Sequence, residues 1–259
     1  MKNELTVAIV QTDLVWENPE TNRKHIKEKV SAIHDANLII LPEMFTSGFT
    51  MNASAVAETM DGESIIWLKK LAKEKQAAIT GSLVIFENDN YYNRLVFIEP
   101  SGKLTHYDKR HTFTLAGEHK IYTAGTEKIT IDYKGWKICP LICYDLRFPV
   151  WARNTENYDL LLYVANWPKI RISAWDALLK ARAIENMSYC IGVNRVGLDG
   201  NKHEYTGHSS AYDVIGQRLD NIPESKETIE IITLEKELIA KYRKKLGFLN
   251  DRDNFSLEG

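Results

Sequence analysis

Three apolar runs in this chain end on a side chain that can do chemistry. Leu38-Ile39-Ile40-Leu41-Pro42 leads into Glu43. Leu104 to Asp108 leads into Lys109, within Asp108-Lys109-Arg110-His111. Trp136 to Ile142 leads into Cys143, which is followed by Tyr144-Asp145-Leu146-Arg147-Phe148-Pro149. In α/β sheets the ligand crevice lies beyond the carboxyl ends of the strands, so residues in such positions can converge there. Taken singly, each has a plain structural alternative: an exposed loop carboxylate, a solvated basic turn, a buried inert thiol. Taken together they are a nucleophile, a proton carrier and a cation, the parts of nucleophilic acyl transfer. The thiol would attack a carbonyl carbon, the carboxylate would move protons, and the cation with a backbone N–H would hold the oxyanion.

Position separates the three cysteines. Cys139 and Cys190 fall inside apolar strands and fit the role of small core residues. Cys143 stands at a strand terminus among polar neighbours, where a helix is expected to begin, and a helix N-terminus lowers a thiol pKa. A free thiol titrates near ~8.5 and is mostly protonated at neutral pH. The Lys109 charge and the helix terminus favour thiolate and an anionic Glu43 opposes it. One proton shared between Glu43 and Cys143 is the expected resting state. Three cysteines cannot all pair and are too sparse for a disulfide scaffold, which points to a reducing compartment.

These residues must be positioned by elements the sequence also signals. Strands are expected at 5–11, 38–41, 77–86, 93–99, 104–108, 128–133, 136–142, 160–165, 189–194, 209–215 and 228–233. Asn18-Pro19 starts a helix carrying Ile26, Val30 and Ile33 on one face, and further helices are expected at 63–76, 172–187 and 234–246. In the helix at 172–187, Ala177, Ala181 and Ile184 share a face. Strands and helices alternate with several hairpins, which makes the chain α/β with mixed sheets covered by helices, in one domain. No Gly-rich phosphate loop follows any strand. With 33 Lys+Arg against 35 Asp+Glu, the net charge of −2 gives no electrostatic reason to expect nucleic acid or an anionic membrane as partner. No apolar run approaches the ~20 residues of a membrane helix, and the run from Val7 to Val10 is too short for a secretory signal, so a soluble cytoplasmic protein is expected.

Read together, the motifs resemble the nitrilase superfamily of carbon–nitrogen hydrolases. The resemblance covers almost the whole chain and rests on Leu41-Pro42-Glu43, Asp108-Lys109-Arg110-His111 and the run from Cys143 to Pro149, in matching order and separation. Four longer stretches resemble its bacterial omega-amidase branch: Pro42 to Phe49, Tyr163 to Pro168, Ala181 to Asn186, and Asn194 to Gly197. So does Val150-Trp151 after Arg-Phe-Pro, where many other branches carry Glu. The resemblance implies a single carbon–nitrogen hydrolase domain over 1–259, with about 247–259 as a tail. It implies a four-layer αββα sandwich that pairs with a second copy across its helical face. It implies Glu43 as general base, Lys109 as oxyanion stabiliser and Cys143 as nucleophile, with no metal or organic cofactor. A second carboxylate supports the lysine in this superfamily, and Glu118, in Ala116-Gly117-Glu118-His119 with Tyr122 and Gly125 after it, takes that place here. The Tyr144 backbone N–H would join Lys109 on the oxyanion.

For the substrate, the resemblance implies a small amide that also bears an acidic group, such as 2-oxoglutaramate or 2-oxosuccinamate. Such a molecule needs a cation for the remote carboxylate and an apolar wall. Arg171 is the candidate cation, Arg147 the competitor, although Arg147 is expected to pair with a carboxylate and brace the Cys143 loop. Phe45 and Trp167 are candidates for the wall, with core packing as the alternative for both. Competing readings are nitrile or carbamoyl hydrolysis on the same residues, action on glutamine itself, a metal site at His111, Glu118 and His119, and an inactive binding protein.

Overall fold

The structure, a computed structural model, describes residues 3–257. The tail expected at about 247–259 therefore lies partly outside the described residues. The elements run β1 (Glu4–Gln11), α1 (Pro19–Ser31), β2 (Leu38–Ile40), α2 (Ala53–Val56), α3 (Glu63–Lys75), β3 (Ala78–Glu87), β4 (Asn90–Ile98) and β5 (Leu104–Asp108). They continue with β6 (Ile131–Tyr133), β7 (Trp136–Ile142), α4 (Pro149–Ala152), β8 (Leu160–Ala165), α5 (Ile172–Asn186) and β9 (Tyr189–Asn194). The last are β10 (Val196–Leu198), β11 (Glu204–Thr206), β12 (Ser210–Tyr212), β13 (Thr228–Glu235) and α6 (Lys236–Leu246).

Two mixed sheets form, ordered β13-β1-β2-β3-β4-β5 and β12-β9-β8-β7-β6. Period-two alternation decides which way each strand faces. In β1, Leu5, Val7 and Ile9 enter the core between the sheets, while Ala8 and Val10 face α1 and α3 on the other side. In β2, Leu38 and Ile40 take the first direction and Ile39 the second. The second sheet carries α5 on its outer face, with Trp175, Leu179 and Ala183 buried against it. The layers are thus helix, sheet, sheet, helix: the αββα sandwich. Among the described residues no helix is long and apolar enough to cross a membrane.

The Asn18 side chain caps α1, its Oδ1 accepting from the Thr21 N–H at 3.0 Å. One expected face is reversed. Ala177 and Ile184 of α5 point outward, and Ile184 is 45% exposed. The inward stripe is Trp175, Leu179, Arg182, Ala183 and Asn186. Hydrophobic periodicity missed it because two of its members are polar, each buried on backbone carbonyls: Arg182 donates to the Leu146 carbonyl at 2.6 Å and Asn186 to the Arg182 carbonyl at 3.1 Å. The helix expected after Cys143 is instead a five-residue 3₁₀ turn, Cys143–Arg147, followed by the short α4.

Candidate active site

Each reactive residue follows a strand end. Glu43 comes three residues after β2, Lys109 directly after β5, and Cys143 directly after β7. In the first sheet β2 and β3 are parallel, and the β3–β4–β5 meander returns β5 to the same direction. Glu43 and Lys109 therefore emerge at one end of that sheet. Cys143 and Asn166 emerge at the carboxyl ends of the parallel pair β7 and β8 in the facing sheet. Packing the two sheets brings all four together.

Glu43 is fully buried. Its Oε1 accepts from Lys109 Nζ at 2.9 Å and Asn93 Nδ2 at 2.8 Å, and its Oε2 from the Asn166 N–H at 2.7 Å. The Asn166 side chain also donates to the Glu43 carbonyl at 2.5 Å. Ser82 of β3 fixes the following turn, its hydroxyl accepting from the Met44 N–H at 2.8 Å. Lys109 Nζ, 1% exposed, additionally donates to both oxygens of Glu118, each at 2.9 Å. Glu118 is held in turn by the Phe113 N–H at 2.5 Å. Gly125 lets the chain cross directly over β5: a Cβ there would sit 2.2 Å from the Asp108 carbonyl oxygen, and its N–H donates to the Lys109 carbonyl at 2.9 Å.

Cys143 occupies a left-handed backbone conformation, φ +43°, on a sharp strand-to-turn elbow. Such a conformation is uncommon for a residue with a Cβ and persists where the surroundings impose it. Asp145 imposes it. Its Oδ2 accepts from the Ile142 N–H at 3.0 Å and the Tyr107 hydroxyl at 2.7 Å, and its Oδ1 from the His111 N–H at 2.9 Å and ring Nδ1–H at 2.7 Å. One buried carboxylate thus ties the elbow of the second sheet to both flanks of Lys109 on the first. In the first turn of the 3₁₀ segment the Tyr144 N–H has no intrahelical acceptor.

Burial adds to the expected balance of charges. Burial opposes the Lys109 ammonium, but Glu118 and Glu43 outweigh it and hold its pKa above the ordinary value. Burial, reinforced by Glu43, raises Glu118 despite Lys109. Burial and the Glu43 charge push the Cys143 thiol well up, against the pull of Lys109. The short 3₁₀ turn supplies no long helix dipole to reverse this. This direction favours a protonated sulfur beside the Glu43 carboxylate. Cys139 is inert by contrast, buried and pushed up to about 12 by burial.

A cavity of about 620 Å³ opens over this cluster, lined by Lys109, Cys143, Tyr144, Trp167, Arg147 and Arg171 among others. Phe45 is not among its walls. It is fully buried, at 6.2 Å from the Trp67 ring, and Gly81 sits against it, so its role is core packing. Phe49 takes the place, its ring 5.1 Å from Lys109 Nζ. Arg147 also departs from expectation: its guanidinium lies 5.0 Å over the Trp167 ring, and Asp145 does the bracing. Of the residues weighed as metal ligands, His111 bonds Asp145 and stacks on Phe148 at 3.6 Å, and Glu118 holds Lys109. Among the described residues no three His, Cys, Asp or Glu side chains form a metal-binding group. Asn93, Asn166 and Asp145 were missed as members of the site. Asn166 lies in the resembling stretch 163–168 and Asp145 beside Cys143, but nothing local marks either as a partner of Glu43 or His111.

The sequence matches the family described as carbon-nitrogen hydrolase over residues 6–244. Omega-amidase YafV of Yersinia enterocolitica is 42% identical over 255 residues, covering 98% of each chain. The 2-oxoglutaramate amidase of Bacillus subtilis strain 168 is 34% identical over 222 residues, covering 83% of this chain and 85% of its own. A CN-hydrolase superfamily protein from Xanthomonas campestris, solved with an arsenic adduct in its active site, superimposes with a TM-score of 0.96 at 40% identity, covering 98% of this chain and 99% of its own. Nit3 of Saccharomyces cerevisiae, of the nitrilase superfamily, shares the fold at 24% identity with a TM-score of 0.82, covering 94% of each chain. A thiol on a braced elbow, a buried carboxylate–lysine–carboxylate cluster facing it, and a match that spans nearly the whole chain place this protein in the carbon–nitrogen hydrolase family.

Proposed function

We propose that this protein hydrolyses the terminal amide of small 2-oxo acid amides, 2-oxoglutaramate first among them, through a thioester on Cys143. The observation that carries the reading is the Glu43–Lys109–Glu118 cluster, with both ion pairs at 2.9 Å, whose Lys109 lines the same cavity as Cys143. The names of the relatives supply the substrate class.

The cycle follows from the proton's location. Glu43 takes the thiol proton as sulfur attacks the amide carbon, and Lys109 with the Tyr144 N–H holds the negative oxygen. Protonated Glu43 hands its proton to the amide nitrogen, the C–N bond breaks, and ammonia leaves. Glu43 then draws a proton from water as the water oxygen attacks the thioester, and the carboxylic acid departs while sulfur regains its proton. Glu118 keeps Lys109 charged and aimed without meeting the substrate. Asn93 and Asn166 hold the Glu43 carboxylate in one orientation. These steps are complete with the side chains present. Arg171 serves the remote carboxylate, and Trp167 with Phe49 the short carbon chain.

The test is a coupled ammonia assay with 2-oxoglutaramate, a nitrile of equal length and an N-carbamoyl amino acid. The expected result is kcat/KM for 2-oxoglutaramate at least about 100-fold above either alternative, of the order that a buried polar site gains over analogues lacking its hydrogen-bonding groups. Preference for the nitrile or the carbamoyl compound sinks the substrate assignment.

We also propose a homodimer formed across the outer helical face. It is supported by exposed apolar side chains there, with Ile184 of α5 at 45%, Val150 of α4 at 50% and the neighbouring Ile215 at 42%. Sedimentation equilibrium is expected to give a dimer for the wild type and a monomer for Ile184→Glu. A wild-type monomer at micromolar concentration rules the dimer out. A cytoplasmic setting suits a working thiol, and the three cysteines are free.

A further inference from the structure

Two guanidinium groups line the cavity, and neither pairs with a carboxylate among the described residues. Each rests instead on an aromatic face. Arg147 Cζ lies 5.0 Å from the Trp167 ring centre, and Arg171 Cζ lies 5.0 Å from that of Phe113. Stacking holds a guanidinium through its face and leaves its N–H edge free for a planar acceptor. The two are connected, because the Trp167 indole N–H donates to the Arg171 carbonyl at 2.8 Å. They are also tied to the reaction centre: Phe113 packs edge-on to Tyr144 at 4.9 Å, and its N–H holds Glu118.

The carboxylates of the same cavity are already engaged. Glu17 accepts from the Thr50 hydroxyl at 2.5 Å and from Asn52 at 3.1 Å. Asp199 accepts from the Tyr205 hydroxyl at 2.9 Å and His203 Nδ1 at 3.2 Å. The cavity thus offers two free cations to a ligand, and its anions are committed to the protein.

We infer that Arg147 and Arg171 act as one two-cation site for the 2-oxo carboxylate end of the substrate, dividing the carboxylate and the adjacent oxo oxygen between their free edges. The same charge rejects an α-ammonium at that carbon, so the pair separates a 2-oxo acid amide from the corresponding amino acid amide. This deepens the reading of Cys143 as an amide-cleaving nucleophile and rests on it. It gives Arg147 a substrate-reading role.

The experiment compares four five-carbon amides that differ only at the far end: 2-oxoglutaramate, glutaramate, glutamine and pentanamide. Arg171→Gln is expected to lower the ratio of kcat/KM for 2-oxoglutaramate over pentanamide by about 50-fold, the loss of a charge-assisted pair. Arg147→Gln is expected to lower the ratio of 2-oxoglutaramate over glutaramate by about 10-fold, the loss of one hydrogen bond to the oxo oxygen. Lysine at either position restores part of each ratio, because charge survives while the fork is lost. Arg147→Glu is expected to raise glutamine relative to 2-oxoglutaramate by at least about 10-fold. Calorimetric binding of glutaramate to Cys143→Ala and to Cys143→Ala/Arg171→Gln reads the site without turnover, with Kd expected to rise about 50-fold. Ratios that stay within about twofold of wild type, or a Kd that does not move, overturn the two-cation site. Equal loss on pentanamide overturns it too, since that is the mark of a structural brace. A wild type that cleaves none of the four refutes the chemistry at Cys143, whereas the binding measurement still decides the arginines.

Discussion

Cys143→Ala is expected to lower kcat for 2-oxoglutaramate by roughly 10⁵-fold, the scale seen when a covalent nucleophile is removed and binding is kept. The cavity, Lys109 and the arginines are untouched by this change, so substrate should still bind. Intact-mass spectrometry during turnover should show a transient acyl adduct on the wild type and none on the variant. The thiol's resting state gives a second reading. Burial and Glu43 push its pKa well above the usual thiol value, a direction that favours protonated sulfur at neutral pH. Thiolate absorbance near 240 nm, taken as wild type minus variant, should stay flat from about pH 6 to about pH 9 and rise only beyond. A step near pH 6 to 7 would mean a preformed thiolate and a different route for the first proton. Full activity of the alanine variant would remove Cys143 from the mechanism.

Lys109→Met should cost both activity and stability, because Lys109 does two things with one charge. As the proposed oxyanion stabiliser it would contribute roughly 10²–10³ in kcat, lost when it is removed. It also neutralises two carboxylates that are otherwise buried together: both Glu43 and Glu118 are fully inaccessible to solvent. Leaving such charges unpaired destabilises by about 3–5 kcal/mol. The pH dependence identifies the cause. Glu118 is already raised above its ordinary value by burial and by Glu43, against the pull of Lys109 and the Phe113 N–H. Without Lys109 it rises further. A carboxyl whose folded pKa lies above its unfolded one contributes stability fully present below the unfolded value and lost as pH climbs through the folded one. The deficit in the urea midpoint should therefore be small near pH 4.5 and grow towards pH 8. A deficit independent of pH, or one below ~1 kcal/mol as for an exposed pair, would show that the cluster is not the buried charge network described here. Glu118→Gln serves as the control. It removes one of the two anions, so in the Lys109→Met background it should recover stability without recovering turnover.

How much of this was legible in advance depends on the range of the interaction concerned. The strand ends carrying Glu43, Lys109 and Cys143 could be read from the sequence because an apolar run and the polar residue that ends it are neighbours in the chain. The same holds for the Asn18 cap on α1 and for the βα alternation that predicts mixed sheets. The motifs around these residues also carried Glu118, since it stands only nine positions from its lysine.

The face of α5 was not legible, because a buried arginine and asparagine look like surface residues until their carbonyl partners are known. Phe45 and Phe49 stand four positions apart in one loop, and only the path of that loop over Ser82 sends one to the core and the other to the cavity.

The sequence by itself determined the reactive groups, the strands that end on them and the family they resemble. The tertiary structure decided which groups meet. Asn166 reaches Glu43 across 123 residues of chain, and Asp145 reaches His111 across 34. It also decided that burial and Glu43 push the Cys143 thiol upward and that Arg147 lies over the Trp167 ring. Both follow from the same cause: periodicity and spacing record neighbours along the chain, whereas burial, charge balance and hydrogen-bond satisfaction are set by the facing sheet.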